Sequence, residues 1–184
     1  MNAILCSVLL VFGLVSISSA QSCREVVRDA SGRVVQTIER QRQASGTERA
    51  VIRDASGSVI GTATTHSNAG GSERTEYRDA SGRFSGSAST RQSSTSSSET
   101  TYRDASGRAT GSAFTREQSG SSSQTRYRDS SSRYTGSSSS ISSHSGFHTS
   151  TQRDAQGRLI SNSSGSGKCH SGAGGSVALT TTRK

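Results

Sequence analysis

Proline and tryptophan are absent from this chain of 184 residues, methionine occurs once, and aromatic residues make up only 4% of it. With 28% of residues hydrophobic, large apolar side chains are too few for a conventional core. Backbone ladders, ring closure and crosslinks would then have to carry stability. The spacers hold no proline to stiffen them and run instead in Ser and Gly. Such a composition ordinarily marks disorder, and disorder over much of the chain is the reading that a folded one has to beat. Catalytic signatures are missing as well. There is no Gly-x-Ser-x-Gly elbow and no His-Glu-x-x-His, which excludes the chemistries those two motifs carry. Acids number 13 against 22 lysines and arginines, leaving a formal charge of +9.

What the chain has is a repeat. Arg-Asp-Ala-Ser-Gly, or a worn form of it, begins at Arg28, Arg53, Arg78, Arg103, Arg128 and Arg153, a period of 25 residues without slippage. A unit repeated this strictly is one supersecondary element that buries its apolar face against its neighbours. In Tyr102-Arg103-Asp104-Ala105-Ser106-Gly107-Arg108, Asp104 to Gly107 has turn chemistry: the Asp accepts from an N–H two residues on, and the Gly takes positive φ. Period-two alternation flanks the turn, with Thr100 and Tyr102 leading in and Ala109, Gly111 and Ala113 leading out. Each unit therefore reads as a β-hairpin.

Two registers fit. A two-residue loop, Ser106-Gly107, places Tyr102 across from Gly111 and puts every apolar position on one face. A three-residue loop with a Gly bulge pairs Asp104 with Arg108 and sends Tyr102 to the other face. The first is preferred. The glycines at 61, 86, 111 and 136 mark close backbone approach, read here as second strands crowding around a common axis. The fold class expected is all-β: six 25-residue β-hairpin repeats in a closed or nearly closed ring or shallow barrel. Their centres fall near 28–33, 53–58, 78–83, 103–108, 128–133 and 153–158. The Ser-rich spacers are either flexible loops or extensions of the strands. Repeat five is worn, with Ser130-Ser131-Ser132 in its turn.

Residues 1–20 are apolar, carry no charged side chain and end Ser18-Ser19-Ala20, so they read as a cleaved secretory signal containing Cys6, with a retained anchor as the alternative. Residues 21–184 then form a single repeat domain with a Gly/Ser-rich tail over 164–184, in which Ser176–Thr182 reads as one more strand. Cys23 precedes the first repeat and Cys169 follows the last. In a secreted chain they are expected to form a disulfide, which a closed ring would permit by bringing the ends together. Lipidation of Cys23 and intermolecular pairing are the alternatives. Asn162-Ser163-Ser164 is a glycosylation sequon in a host that modifies secreted chains.

The motif resembles several hairpin-repeat families. Tyr77-Arg78-Asp79-Ala80-Ser81-Gly82-Arg83 is similar to the YD repeats of bacterial Rhs-type proteins, with an Arg inserted between Tyr and Asp. Gly107-Arg108-Ala109-Thr110-Gly111-Ser112-Ala113 resembles the centre of MORN repeats, without their aromatic pair. In overall form residues 26–163 resemble the β-flower proteins, whose hairpins radiate around a shallow channel. The first resemblance implies an encapsulating shell, the second lipid or protein contacts, and the third no particular activity.

Arginine is the main functional signal. Arg28 and Arg33, Arg78 and Arg83, Arg103 and Arg108, Arg128 and Arg133, and Arg153 and Arg158 recur as pairs, with Arg53 opposite Ser58. In a ring they form bands of guanidinium groups fit for carboxylates, sulfates or phosphates. The plainer reading is that one Arg pairs with the local Asp and the other keeps an exposed edge soluble. The six Asp residues recur with the turn and read as turn caps. Gly165-Ser166-Gly167-Lys168 has the look of a phosphate loop, but Asn162 and Cys169 break the motif, leaving a loop around the disulfide. His144 and His148 have zinc-ligand spacing without a second pair, so no metal or cofactor is expected.

The expected function is a secreted, non-enzymatic structural or binding module. Its partners would be anionic glycans or lipid headgroups, with nucleic acid ranked below them. The alternative is a self-assembling surface or matrix protein with exposed Ser/Thr edges, and monomer against assembly is left open. An enzyme is not expected, because groups that repeat with the fold give rings of like residues rather than a matched acid and base. The residues that break the symmetry (His66, Glu117, His144, His148, Lys168 and His170) lie in spacers or the tail. Convergence of the last three histidines would reverse this reading.

Overall fold

The computed structural model describes residues 21–118 and 121–167. The proposed signal, Cys6, Lys168, Cys169, His170 and the Ser176–Thr182 segment lie outside the described residues. The chain forms twelve strands: β1 (Gln21–Asp29), β2 (Val34–Arg42), β3 (Glu48–Asp54), β4 (Val59–Ser67), β5 (Glu73–Asp79), β6 (Phe84–Ser94), β7 (Ser97–Asp104), β8 (Ala109–Glu117), β9 (Ser122–Asp129), β10 (Tyr134–Ser142), β11 (His148–Asp154) and β12 (Leu159–Gly167). Every strand pairs antiparallel with its neighbours in sequence, and β1 pairs with β12, so six hairpins close into one barrel. The ring expected from the repeat is therefore closed, and the described strands leave no unpaired edge. The spacers are mostly strand: β6 and β7 run to Ser94 and from Ser97, joined by a two-residue turn. Gly165 to Gly167 also belong to β12, with Gly167 opposite Cys23. The expected loop there, and a tail starting at residue 164, are corrected accordingly.

Successive hairpins are staggered. Ile38 faces Glu25 within its own hairpin and Ile52 in the next. Ile52 stands 27 residues beyond Glu25 where the sequence period is 25. Repeated around the ring, this two-residue step is the shear that lets tilted strands close into a barrel.

Each tight turn combines features of both expected registers. Asp104 N–H donates to the Arg108 carbonyl at 2.9 Å and Gly107 N–H to the Asp104 carbonyl at 3.0 Å, with Gly107 at φ +83°. That is the three-residue loop with a Gly bulge. Yet Tyr102 still pairs with Gly111, because a second bulge between Tyr102 and Arg103 takes up one residue opposite. The same shift occurs at Val27, Ile52, Tyr77, Gln152 and across Tyr134 to Gly136. The preferred two-residue loop is wrong while its pairing is right. One consequence is that Val59, Phe84, Tyr134 and Leu159 sit opposite the outward Arg of their units and are 36–45% exposed. They had been expected on the inner face. In worn repeat five, Ser132 makes the same turn at φ 64°, at a cost of about 1 kcal/mol.

Inside, the layer beneath the turns holds Val27, Ile52, Tyr77, Tyr102, Tyr127 and Gln152. Among the described residues, Val27, Ile38, Ala50 and Ile52 form the one buried apolar cluster, in the first two repeats. Further round, hydroxyls replace methyl groups. Thr65–Thr75, Thr90–Thr100 and Thr115–Thr125 bond across adjacent strands at 2.8, 2.9 and 2.9 Å, one pair per repeat. These bonds satisfy polar groups that would otherwise be costly to bury, Thr100 being 1% exposed. The glycines face neighbouring backbone rather than a common axis. A Cβ at Gly86, Gly111 or Gly136 would run into the carbonyl of Arg103, Arg128 or Arg153.

Candidate functional site

The turn end of the barrel gathers eleven arginines and six aspartates, and the two residue types are employed differently. Each Asp is a staple for its own turn. Asp29 Oδ1 accepts from Ser31 N–H at 2.9 Å, Ser31 Oγ at 2.7 Å and Arg33 N–H at 2.9 Å. The two backbone bonds recur at Asp54, Asp79, Asp104, Asp129 and Asp154. Serine hydroxyl bonds, then backbone N–H groups, hold Asp29, Asp54 and Asp104 below the ordinary carboxylate range. At Asp154 desolvation pushes upward, and the Arg158 side chain and backbone N–H outweigh it. The turn-cap role expected of these residues is what the geometry shows.

The leading arginines do not pair with those carboxylates. Nη1 of Arg28, Arg53, Arg78, Arg103, Arg128 and Arg153 donates to the backbone carbonyl four residues on, at 2.8–3.1 Å. That bond uses one of the five guanidinium N–H groups and fixes the head in direction; Arg53 also stands 3.9 Å from Glu39 Oε2 through its Nε. Of the second set, Arg158 meets its Asp at 2.7 Å. Arg33, Arg83, Arg108 and Arg133 are exposed and have no such ion pair among the described residues. The plainer expectation is thus corrected twice: Arg–Asp pairing holds in one unit only, and closure leaves no edge to guard. The result is a rim whose guanidinium groups are held by turns and whose acids are turned into the backbone.

A second cluster lies inside the barrel, toward the end that carries both described termini. Glu25 is 3% exposed. Arg40 Nη2 stands 3.4 Å from Glu25 Oε2 and its Nη1 3.3 Å from Glu48 Oε1. His148 Nε2 lies 4.0 Å from Glu25 Oε2, and its buried Nδ1 has no hydrogen-bond partner among the described residues. Arg40 stands where later repeats have Thr65, Thr90 and Thr115, and Glu25 where they have Thr75, Thr100 and Thr125, so a guanidinium shared by two carboxylates does there what hydroxyls do elsewhere. Sequence reasoning missed it, although parity signals it: Glu25 alternates with Val27, and Arg40 with Ile38, on inward positions.

The other singled-out residues are dispersed. His144 and His66 are exposed, whereas His148 is half-buried beside Glu25, and among the described residues no group of three His, Cys, Asp or Glu is placed to hold a metal. Cys23 is buried in β1 beside Gly167, two residues short of Cys169. Asn162 is exposed on the outer face of β12. The tyrosines of the upper layer are shielded: burial pushes the Tyr77 hydroxyl up to about 12 and raises those of Tyr102 and Tyr127. A cavity of about 10 Å³ lies between Val27, Ile38, Tyr127 and Ser150, room for at most one water. A shallow hollow of about 350 Å³ lies over Arg91, Glu99 and Arg103 on the outer wall.

The class defined here is a closed, twelve-stranded antiparallel barrel built from six hairpin repeats, with an arginine rim at one end. No known family, curated protein or solved structure matches the chain.

Proposed function

We propose that the protein is a secreted, non-enzymatic binding module that takes anionic polymers or membrane surfaces on its arginine rim. The observation that carries this reading is the division of labour at the turns. Six carboxylates each bind two backbone N–H groups of their own turn through Oδ1, while eleven guanidinium groups stand around one end. Eleven positive against six negative charges leave five in excess on the rim. Repeated, directed guanidinium groups suit sulfates, carboxylates and phosphates. The experiment is chromatography of the mature protein on heparin across a salt series. Retention should fall steeply with salt, as displacement of several counterions requires. Retention that is absent, or the same at low and high salt, overturns the reading.

Secretion and a Cys23–Cys169 bridge belong to the same proposal. The apolar leader motivates the first, and closure, which seats Cys23 opposite Gly167, two residues before Cys169 in the sequence, motivates the second. Peptide mapping of exported protein without reduction should find Gln21 at the amino terminus and the two cysteines in one crosslinked peptide. An intact Met1, or two thiols that alkylate freely, counts against it.

A further inference from the structure

The arginine rim is also an apolar girdle. Of the nine large hydrophobic residues that stand exposed among the described residues, six (Val35, Val59, Phe84, Tyr134, Leu159 and Ile160) are the first or second residue of a strand leaving a tight turn. The bulge puts them there. Phe84 pairs with Arg78, Tyr134 with Arg128 and Leu159 with Arg153. Apolar side chains and guanidinium groups therefore share the outer side of the barrel at one level.

We infer that this end of the barrel docks, axis upright, on an anionic phospholipid bilayer. Phe84, Tyr134 and Leu159 would enter the interfacial region, and the arginines would hold lipid phosphates. The inference rests on the polyanion reading above and narrows it to one partner. Shape decides the choice: groups spaced all round one rim touch a flat sheet of charges together, whereas a single polymer chain passing the rim meets only one side. Charge decides it too, since the rim has five positive charges in excess, and amphipathic rims bind by apolar area plus attraction to anionic lipid. The barrel does not span the bilayer. Its outer wall carries exposed Arg24 and Arg126 in mid-strand and exposed Arg49 and Arg74 near the strand starts at the far end, where a spanning barrel has an apolar band.

Vesicles of phosphatidylcholine with and without phosphatidylglycerol test this on the whole mature protein. Because the chain has no tryptophan, Phe84→Trp and Tyr134→Trp are single reporters at the rim, and Phe114→Trp is one on the wall nearer the opposite end. With phosphatidylglycerol vesicles the first two should blue-shift and the third should not. The triple change F84S/Y134S/L159S, with its strand circular dichroism retained, should lose at least about tenfold in vesicle binding while keeping heparin retention. If the protein is held by heparin in a salt-dependent way but ignores the vesicles, the lipid inference falls and the polyanion reading stands. If it binds neither, both fall. A blue shift at Phe114→Trp alone, or unchanged vesicle binding by the triple variant, overturns rim docking.

Discussion

Tyr102→Ala is expected to cost about 3–5 kcal/mol, the range for removing a large buried aromatic. Tyr102 faces Gly111 across the hairpin and lies between the equivalent rings of Tyr77 and Tyr127; burial first, and then these two neighbours, raise its pKa and so disfavour its ionised form. Nothing else at this level can fill the space. Its partners on the two adjacent strands are Gly111 and Ala88, and Thr100 and Ala113 come next along the strands. A typical domain has only about 5–15 kcal/mol to lose, and this one has, among the described residues, a single cluster of aliphatic core residues, located in its first two repeats. Tyr102→Phe keeps the ring and should stay within about 1 kcal/mol of the native chain. Phe114→Ala, at a side chain 44% exposed, should fall within about 0.5 kcal/mol. Urea unfolding followed by circular dichroism compares the three. A Tyr102→Ala loss no larger than that of Phe114→Ala would mean the tyrosine layer does not hold the barrel together.

Much of this fold is legible in the sequence because the repeat states it six times. The Asp-Ala-Ser-Gly turn, the alternation on either side and the inward Tyr–Gly pairing all follow from residue chemistry, whereas a constant period fits an open stack as well as a ring, and closure is given by the β1–β12 pairing. What is not legible is the bulge. Alternation read straight from Ala113 back through Gly111 to Ala109 places the residue after the second basic position inside. One extra residue, Thr110 in this unit, turns Ala109 and its equivalents outward, and nothing local in Thr110 announces it. The girdle was hidden for that reason. The interior ion cluster was hidden for another: Glu25 and Arg40 in the first hairpin and Glu48 in the second stand where the fourth and fifth hairpins have threonine or serine, and attention to what recurs passes over what does not. The arginines were found by recurrence, but their partners were not. A guanidinium reaching the turn carbonyl four residues on depends on the turn's curvature, which composition does not report.

Gly111→Ala is expected to destabilise the barrel by about 1–3 kcal/mol, although alanine is ordinarily the better strand residue by about 0.5–1 kcal/mol. Gly111 has no need of left-handed φ, so the cost is one of space. A Cβ at this position falls against the carbonyl oxygen of Arg128, part of the backbone of β9, and not against a side chain that could swing aside. That carbonyl belongs to the bulge of the next hairpin, so relief requires moving the seam between two repeats. The same close approach recurs at Gly86 with Arg103 and at Gly136 with Arg153, where φ of +152° and +153° adds backbone strain to the cost of space. The three sites use different carbonyls, so their costs should roughly add, and G86A/G111A/G136A should lose about 3–9 kcal/mol. That is enough to prevent closure of a domain with ordinary reserves. Gly107→Ala gives the contrast. A Cβ there meets open space, but φ is +83°, and the cost is left-handed strain alone, about 1–2 kcal/mol and confined to one turn. Denaturation midpoints and hydrogen exchange separate the two mechanisms: Gly107→Ala should loosen its own hairpin, and Gly111→Ala should speed exchange in β9 across the seam. A Gly111→Ala chain more stable than the native one would show that close backbone approach is not what keeps glycine in the strand.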